Sequence, residues 1–324
     1  MLTKLRLALL TTVITLTPIT IGHTQAEPLK VVSTFSILSD FAANVGGDRV
    51  AITTLVGPDG DAHVYEPRPA DAVGMASADV ILVNGLQFEG FLQRLVEASG
   101  TKAPVVEATK GAEVLKLSNE AHPHEEEGEG EHAHEDHAEE EEGHHHHGEF
   151  DPHAWQSVAN AKVYVKNIAD AFCTADAAGC DTYRTNAASY TDKLKALDQE
   201  VKDAVVSIPE DKRVTITSHD AFGYFEHEYG IEFLAPEGVS TDSEASAADV
   251  AALIKQVRED KASAIFLENI SNPRLIEQIS AETGIRVGGT LYSDSLSKAD
   301  GPAATYIDMM RHNIATIKAA VLGS

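Results

Sequence analysis

The feature that most restricts the fold is an alternation of β-branched runs with helical patterns, met twice along the chain and interrupted by one long helical run. Residues 29–34, 50–56, 80–84 and 105–106 read as strands. Residues 37–45, 69–76 and 88–98 read as helices, the first closing at Gly46-Gly47. The scheme returns with strands at 214–217, 231–234, 264–267 and 285–287, and helices at 222–229, 247–259, 273–283 and 303–322. Strands spaced by helices in this way give βαβ units and a mainly parallel sheet. The expected fold class is therefore α/β, with two (βα) lobes, each on a four-stranded sheet.

Between the halves lie two helical patterns, 158–172 and 182–206. In the longer one Tyr183, Tyr190, Leu194, Leu197 and Val201 recur at helical spacing, while Lys193, Lys195 and Lys202 alternate with Asp192, Asp198, Glu200 and Asp203 on wetter faces. Pro209 ends the pattern. About 25 helical residues span roughly 37 Å at about 1.5 Å per residue, the length of a rigid strut between lobes. A strut of this kind predicts small closure and local loop motion rather than a large hinge. The organisation read from the chain is an N-terminal lobe over 27–180, a linking helix over 181–207 and a C-terminal lobe over 208–324. The cleft between two such lobes is a common place for a small ligand.

The alternation stops once. Residues 120–149 hold nine histidines (His122, His124, His132, His134, His137, His144, His145, His146 and His147) and 13 acidic residues, without Lys or Arg. Such a stretch cannot bury enough apolar surface to fold alone and reads as a mobile surface loop. It carries half of the chain's net charge of −26, which arises from 51 acidic and 25 basic residues. That balance argues against nucleic acid and anionic lipid, both of which need a basic surface. Cations are the natural ligands of so acidic a surface. The loop has two readings: several weak metal sites that pass metal to the cleft, sense it or receive it from a partner, or a solvated acidic linker.

Residues 1–26 read as a secretory signal peptide, with Lys4 and Arg6, an apolar run over 7–21 and the small residue Ala26 at the expected cleavage point. Pro18 interrupts the run, which is shorter than the ~20 residues of a membrane span. No cysteine lies near the cleavage point, so a lipid anchor is not indicated. Periplasmic location is expected. The only cysteines, Cys173 and Cys180, are separated by six residues. In an oxidising space they are expected to pair. A thiolate metal pair is the alternative, although its spacing is ordinarily tighter.

Five histidines remain outside these segments, of which His227 and His312 lie in helical patterns and are expected on the surface. The other three sit beside strand ends or loop–helix junctions, where parallel sheets bind ligands. His63 lies in Asp61-Ala62-His63-Val64-Tyr65-Glu66-Pro67-Arg68-Pro69, His153 in Asp151-Pro152-His153-Ala154-Trp155, and His219 in Ser218-His219-Asp220-Ala221-Phe222-Gly223-Tyr224-Phe225. Asp294 lies in Tyr292-Ser293-Asp294-Ser295-Leu296. Three imidazoles and a carboxylate suit tetrahedral Zn²⁺, whereas Mn²⁺ favours more carboxylate.

These four linked motifs, in this order along the whole mature chain, resemble the metal-binding cluster of solute-binding proteins that serve ABC transporters, in particular its zinc-uptake branch. The insertion rich in His and acid before the second motif is similar to one in that branch. The resemblance implies two lobes joined by a rigid backbone helix, one metal in the interlobe cleft, and delivery to an ABC transporter permease in the inner membrane. It implies His63, His153, His219 and Asp294 as ligands of one tight Zn²⁺ site, with weaker zinc in the loop. Manganese relatives commonly carry Glu at the third position, where this chain has His219. A monomer is expected, and a periplasmic zinc metallochaperone is a further candidate partner. For the outer imidazole nitrogens Glu66, Asp220, Asp242 and Glu268 are candidate partners by position, and Trp155 and Phe222 are expected to pack the cleft walls. Binding through histidine predicts an affinity that falls below about pH 6.

Two rivals come from other classes. A zinc hydrolase would need an open coordination position and a general base, but the chain has neither a His-Glu-x-x-His helix nor a Gly-x-Ser-x-Gly elbow. An adhesin or metal buffer without a transporter is the other. The expectation is therefore a binding protein and not an enzyme.

Overall fold

The computed structural model describes residues 27–117 and 148–323. The signal peptide and the histidines of the acidic loop, His122 to His147, lie outside the described residues. Two four-stranded sheets form, both wholly parallel. The first contains β1 (Leu29–Phe35), β2 (Val50–Val56), β3 (Val80–Val83) and β4 (Val105–Glu107), in the order β2-β1-β3-β4. The second contains β5 (Val214–Ile216), β6 (Glu232–Leu234), β7 (Ala264–Glu268) and β8 (Val287–Leu291), in the order β6-β5-β7-β8. Both halves thus repeat one topology. In each, the strand order reverses beside the first strand, which opens a crevice at the C-terminal strand ends.

The central strands β1 and β3 are buried along almost their whole length, while the edge strand β2 alternates. The N-terminal helices are α1 (Ser36–Gly46), α2 (Pro69–Ala76) and α3 (Leu92–Ser99). Then come α4 (Val158–Ala175) and α5 (Cys180–Val206), and in the second half α6 (Gly223–Tyr229), α7 (Ala247–Asp260), α8 (Pro273–Thr283) and α9 (Tyr306–Leu322). Helix α5 contacts helices of both lobes. Its buried stripe, Tyr183, Ala187, Tyr190, Leu194, Leu197, Val201 and Val205, packs on α4, α1 and α9. One apolar core consequently runs through both lobes, and a smaller one lies under α7 and α8.

Two element boundaries depart from the sequence pattern for identifiable reasons. The helix expected over 88–98 starts only at Leu92. The Glu89 carboxylate turns back to accept the N–H groups of Asn84 and Gly85, and Gly85, Leu86 and Gln87 all have positive φ, which no helix accommodates. The last strand runs through Gly288 and Gly289 to Leu291 instead of ending at 287. Glycines read as loop in sequence, yet a Cβ on Gly288 would come 2.4 Å from the Ala320 Cβ and 2.8 Å from the Phe266 ring. Glycine here lets α9 and β7 close on β8.

Cys173 and Cys180 are joined by a disulfide that closes the turn between α4 and α5. Beside it Asp176 accepts hydrogen bonds from Arg49 and Tyr183. By loop entropy a bridge across so short a loop contributes about 2–3 kcal/mol. The double variant Cys173→Ser/Cys180→Ser is expected to lose that much in denaturant unfolding and to keep its metal affinity. Among the described residues no helix is long and apolar enough to cross a membrane.

Candidate metal centre

Four loops at C-terminal strand ends build the site. His63 lies in the loop after β2, His219 follows β5, Asp294 follows β8, and His153 sits where the chain enters α4 through a short 3-10 turn (Ala154–Gln156). Two of the loops are shaped by the same local device. The Asp61 carboxylate accepts the His63 backbone N–H at 2.8 Å, and the Asp151 carboxylate accepts that of His153 at 2.9 Å. An Asp two residues before the histidine turns the backbone and presents the ring. The Asp294 loop is fastened to the N-terminal lobe: Leu296 N–H donates to Ser36 Oγ, and both Trp155 Nε1–H and Gln156 Nε2–H donate to Ser293 O.

The four side chains converge. Asp294 Oδ2 lies 3.1 Å from His63 Nε2 and 3.2 Å from His219 Nε2, and Oδ1 lies 3.6 Å from His153 Nε2. One donor atom from each residue falls within 4.8 Å of all the others, so the set can hold one metal ion. His153 Nε2 and Asp294 Oδ1 are buried and have no hydrogen-bond partner. Buried polar atoms are rarely left unpaired, and a cation between them would satisfy both. Three nitrogens and a carboxylate fit Zn²⁺ by donor type.

The outer nitrogens of two rings face carboxylates. His153 Nδ1 lies 2.7 Å from Asp151 Oδ1, and His219 Nδ1 lies 2.7 Å from Glu268 Oε2. Glu268 Oε1 also accepts the backbone N–H groups of Ser218 and His219. Such partners fix the ring orientation and direct the Nε2 lone pair at the metal position. Of the four carboxylates proposed by position, only Glu268 takes this place. Glu66, Asp220 and Asp242 make no hydrogen bond to these imidazoles among the described residues. Asp151 was missed, although the Asp-x-His spacing it shares with Asp61 was legible. Glu268→Gln keeps the shape and removes the charge, and is expected to cost about 10–100-fold in metal affinity, measured by competition against a chelator.

Burial alone would hold the His153 imidazole down, but the charges of Asp294 and Asp151 outweigh it and push its pKa up to about 9. His219 is likewise disfavoured as a cation by burial, yet Glu268 and Asp294 raise it well above the usual imidazole value. Burial would raise Asp294, but His153 and His219 hold it well below the usual carboxylate range. In the metal-free cluster the facing carboxylates therefore favour the protonated forms of His153 and His219.

The walls differ in part from expectation. Trp155 does pack the site, its ring 5.3 Å from that of His153. Phe222 instead stacks on Phe233 at 4.6 Å, inside the C-terminal lobe. Phe88, 4.9 Å from the His63 ring, takes the wall position. His227 is exposed, whereas His312 is half-buried, with its Nε2 3.0 Å from the Thr290 carbonyl, because α9 packs on β8.

Two parallel-sheet lobes held together over a buried His₃Asp cluster define a metal-binding solute-binding protein. The chain belongs to the family described as zinc-uptake complex component A, periplasmic, whose model matches residues 31–320. It is 32% identical over 292 residues to the iron-binding protein YfeA of Yersinia pestis, covering 90% of this chain and 86% of that one. It is 33% identical over 292 residues to the manganese-binding lipoprotein MntA of Halalkalibacterium halodurans, covering 90% and 88%. The structure of the periplasmic zinc binding protein TroA from Treponema pallidum superimposes with a TM-score of 0.79 at 30% identity, covering 91% of this chain and 99% of that one. The family comprises the metal-binding components of ABC transporters, which act with a membrane permease and are not enzymes.

Proposed function

We propose that this protein captures Zn²⁺ in the periplasm through His63, His153, His219 and Asp294 and delivers it to the permease of an ABC importer. The observation that carries the reading is the convergence of the four side chains, one donor atom from each lying within 4.8 Å of all the others. Zinc is favoured over manganese by the donor set, since His219 supplies nitrogen where an oxygen donor would suit Mn²⁺. Manganese is kept as the second reading because relatives named for iron and manganese are 32% and 33% identical to this chain. A single chain carries the complete ligand set, so the unit we propose is a monomer. Residues 1–26 act as a cleaved signal peptide in this reading. The nine histidines over 120–149 supply weaker, accessory zinc sites and could be loaded by a metallochaperone.

The test is a calorimetric titration of metal-free protein lacking residues 120–149, with Zn²⁺ and then Mn²⁺. One tight zinc site with weak manganese binding is the expected result. Loss of all tight binding would move the chemistry into the loop and overturn the ligand assignment. Tighter manganese than zinc would establish the second reading.

A further inference from the structure

We propose that the metal enters and leaves the buried centre by one route, past the edge of His63, through the cavity between residues 85–93 and residues 239–242. The inference rests on the metal-binding reading above. Of the four proposed ligands, the side chains of His153, His219 and Asp294 are 0% exposed, and only His63 reaches 4%. A cavity of about 590 Å³ has His63 in its wall and none of the other three ligands. A hexahydrated dication, at about 30 Å³ per water, takes up about 180 Å³, less than the volume of this cavity. Glu107, Asp242, Gln87, Gln93 and Ser240 line the same cavity. They offer oxygen atoms to an ion shedding its waters, and their net negative charge raises the local cation concentration.

Both walls are tied to the His63 loop. On one side Gly85, Leu86 and Gln87 have φ of 89°, 54° and 62°, a run that is strained at the two non-glycine positions. The turn is held by Glu89 and sets Phe88 against the His63 ring. On the other side Thr241 Oγ1 donates to Asp61 Oδ2. The second oxygen of that carboxylate holds the His63 backbone N–H. One side chain therefore fastens the ligand loop to the opposite wall, and breaking its bond to Thr241 would widen the cavity where it meets His63.

An obstruction in a route raises the barriers to entry and exit equally and leaves the two end states alone. Gly90 lines the cavity, and a Cβ there would meet nothing within 4 Å, so Gly90→Phe adds bulk without backbone strain. Ser240→Phe does so from the other wall. Trp155 is the only tryptophan and lies beside His153, so its fluorescence reports site occupancy. Stopped-flow mixing of the full mature chain with Zn²⁺, and of the loaded chain with excess chelator, gives the two rates. In either Phe variant both are expected to slow together, by about tenfold or more, with Kd kept within about twofold. Thr241→Val is expected to speed both. Unchanged rates in the two Phe variants would overturn the route, as would a changed Kd carried by one rate alone. Loss of tight Zn²⁺ binding by calorimetry in the unsubstituted chain, whatever its fluorescence, would overturn the ligand assignment beneath it.

Discussion

Asp294→Asn is expected to abolish tight metal binding while leaving the overall shape of the site. The carboxylate stands at the centre of the cluster, 1% exposed and within reach of all three imidazoles. An amide offers one neutral oxygen, and its NH₂ would turn toward an imidazole nitrogen that should face the metal. A four-ligand structural zinc site carries about 10–16 kcal/mol in total, so one ligand's share is about 3–4 kcal/mol. That corresponds to a loss of about 10²–10³-fold in affinity. The metal-free variant should also be less stable, because His153 and His219 each lose one of the two anions that sustain their protons, Asp151 remaining beside the first and Glu268 beside the second. Removing one partner of a buried ion pair costs about 3–5 kcal/mol. Chelator competition gives the first number and denaturant unfolding the second. An affinity unchanged from the parent would remove Asp294 from the ligand set.

Metal affinity is expected to keep rising with pH up to about 9, where a site of ordinary imidazoles would level off above about pH 6 to 7. The sequence alone suggested the lower window. The structure moves it because Asp294 and Asp151 overcome burial and push His153 up to about 9, and Glu268 and Asp294 raise His219 in the same direction. The metal needs each Nε2 lone pair, so at neutral pH binding expels about two protons. One expelled proton changes affinity about tenfold per pH unit, or about 1.4 kcal/mol. Between pH 6.5 and 8.5 the gain is therefore about 10²–10⁴-fold.

Metal-free stability should run the other way. The raised imidazoles contribute stability that is full below their unfolded value of about 6.5 and is lost as pH rises through about 9 for His153. The metal-bound form holds no such protons, so its stability advantage widens with pH. Titrations in buffers of different ionisation enthalpy count the protons. A flat affinity from pH 6.5 to 8.5 with no proton release would contradict this electrostatic account.

Much of the centre was legible because its local chemistry is local in sequence. The Asp-x-His turns at 61–63 and 151–153 are closed by bonds between residues two apart. His219 and Asp294 each follow a strand, and parallel strands point their C-terminal ends at ligands. Where the reading went wrong, the deciding contact was remote. Phe88 was assigned to a helix because its apolar spacing is helical, and only Glu89 turning back on Asn84 and Gly85 breaks that helix and brings the ring to His63. Glu268 could not be told from Glu66 by position alone, and the choice between them depends on β7 lying beside β5. The extent of β8 was hidden by two glycines that exist for the sake of α9 and Phe266.

The sequence by itself determined the doubled α/β alternation, the long linking helix, the paired cysteines and the identity of the four converging side chains. All of these follow from periodicity, strand-end position and motif resemblance, which act over a few turns of chain. Tertiary structure alone decided that Asp294 meets a histidine 231 residues away. It also decided that three of the four groups are sealed from solvent and that one edge faces a cavity. Those properties arise where two lobes dock, and docking is governed by shape and desolvation across surfaces that no local pattern of residues encodes. The raised imidazoles follow from the same cause, because burial and facing carboxylates act on the rings only once the lobes are together.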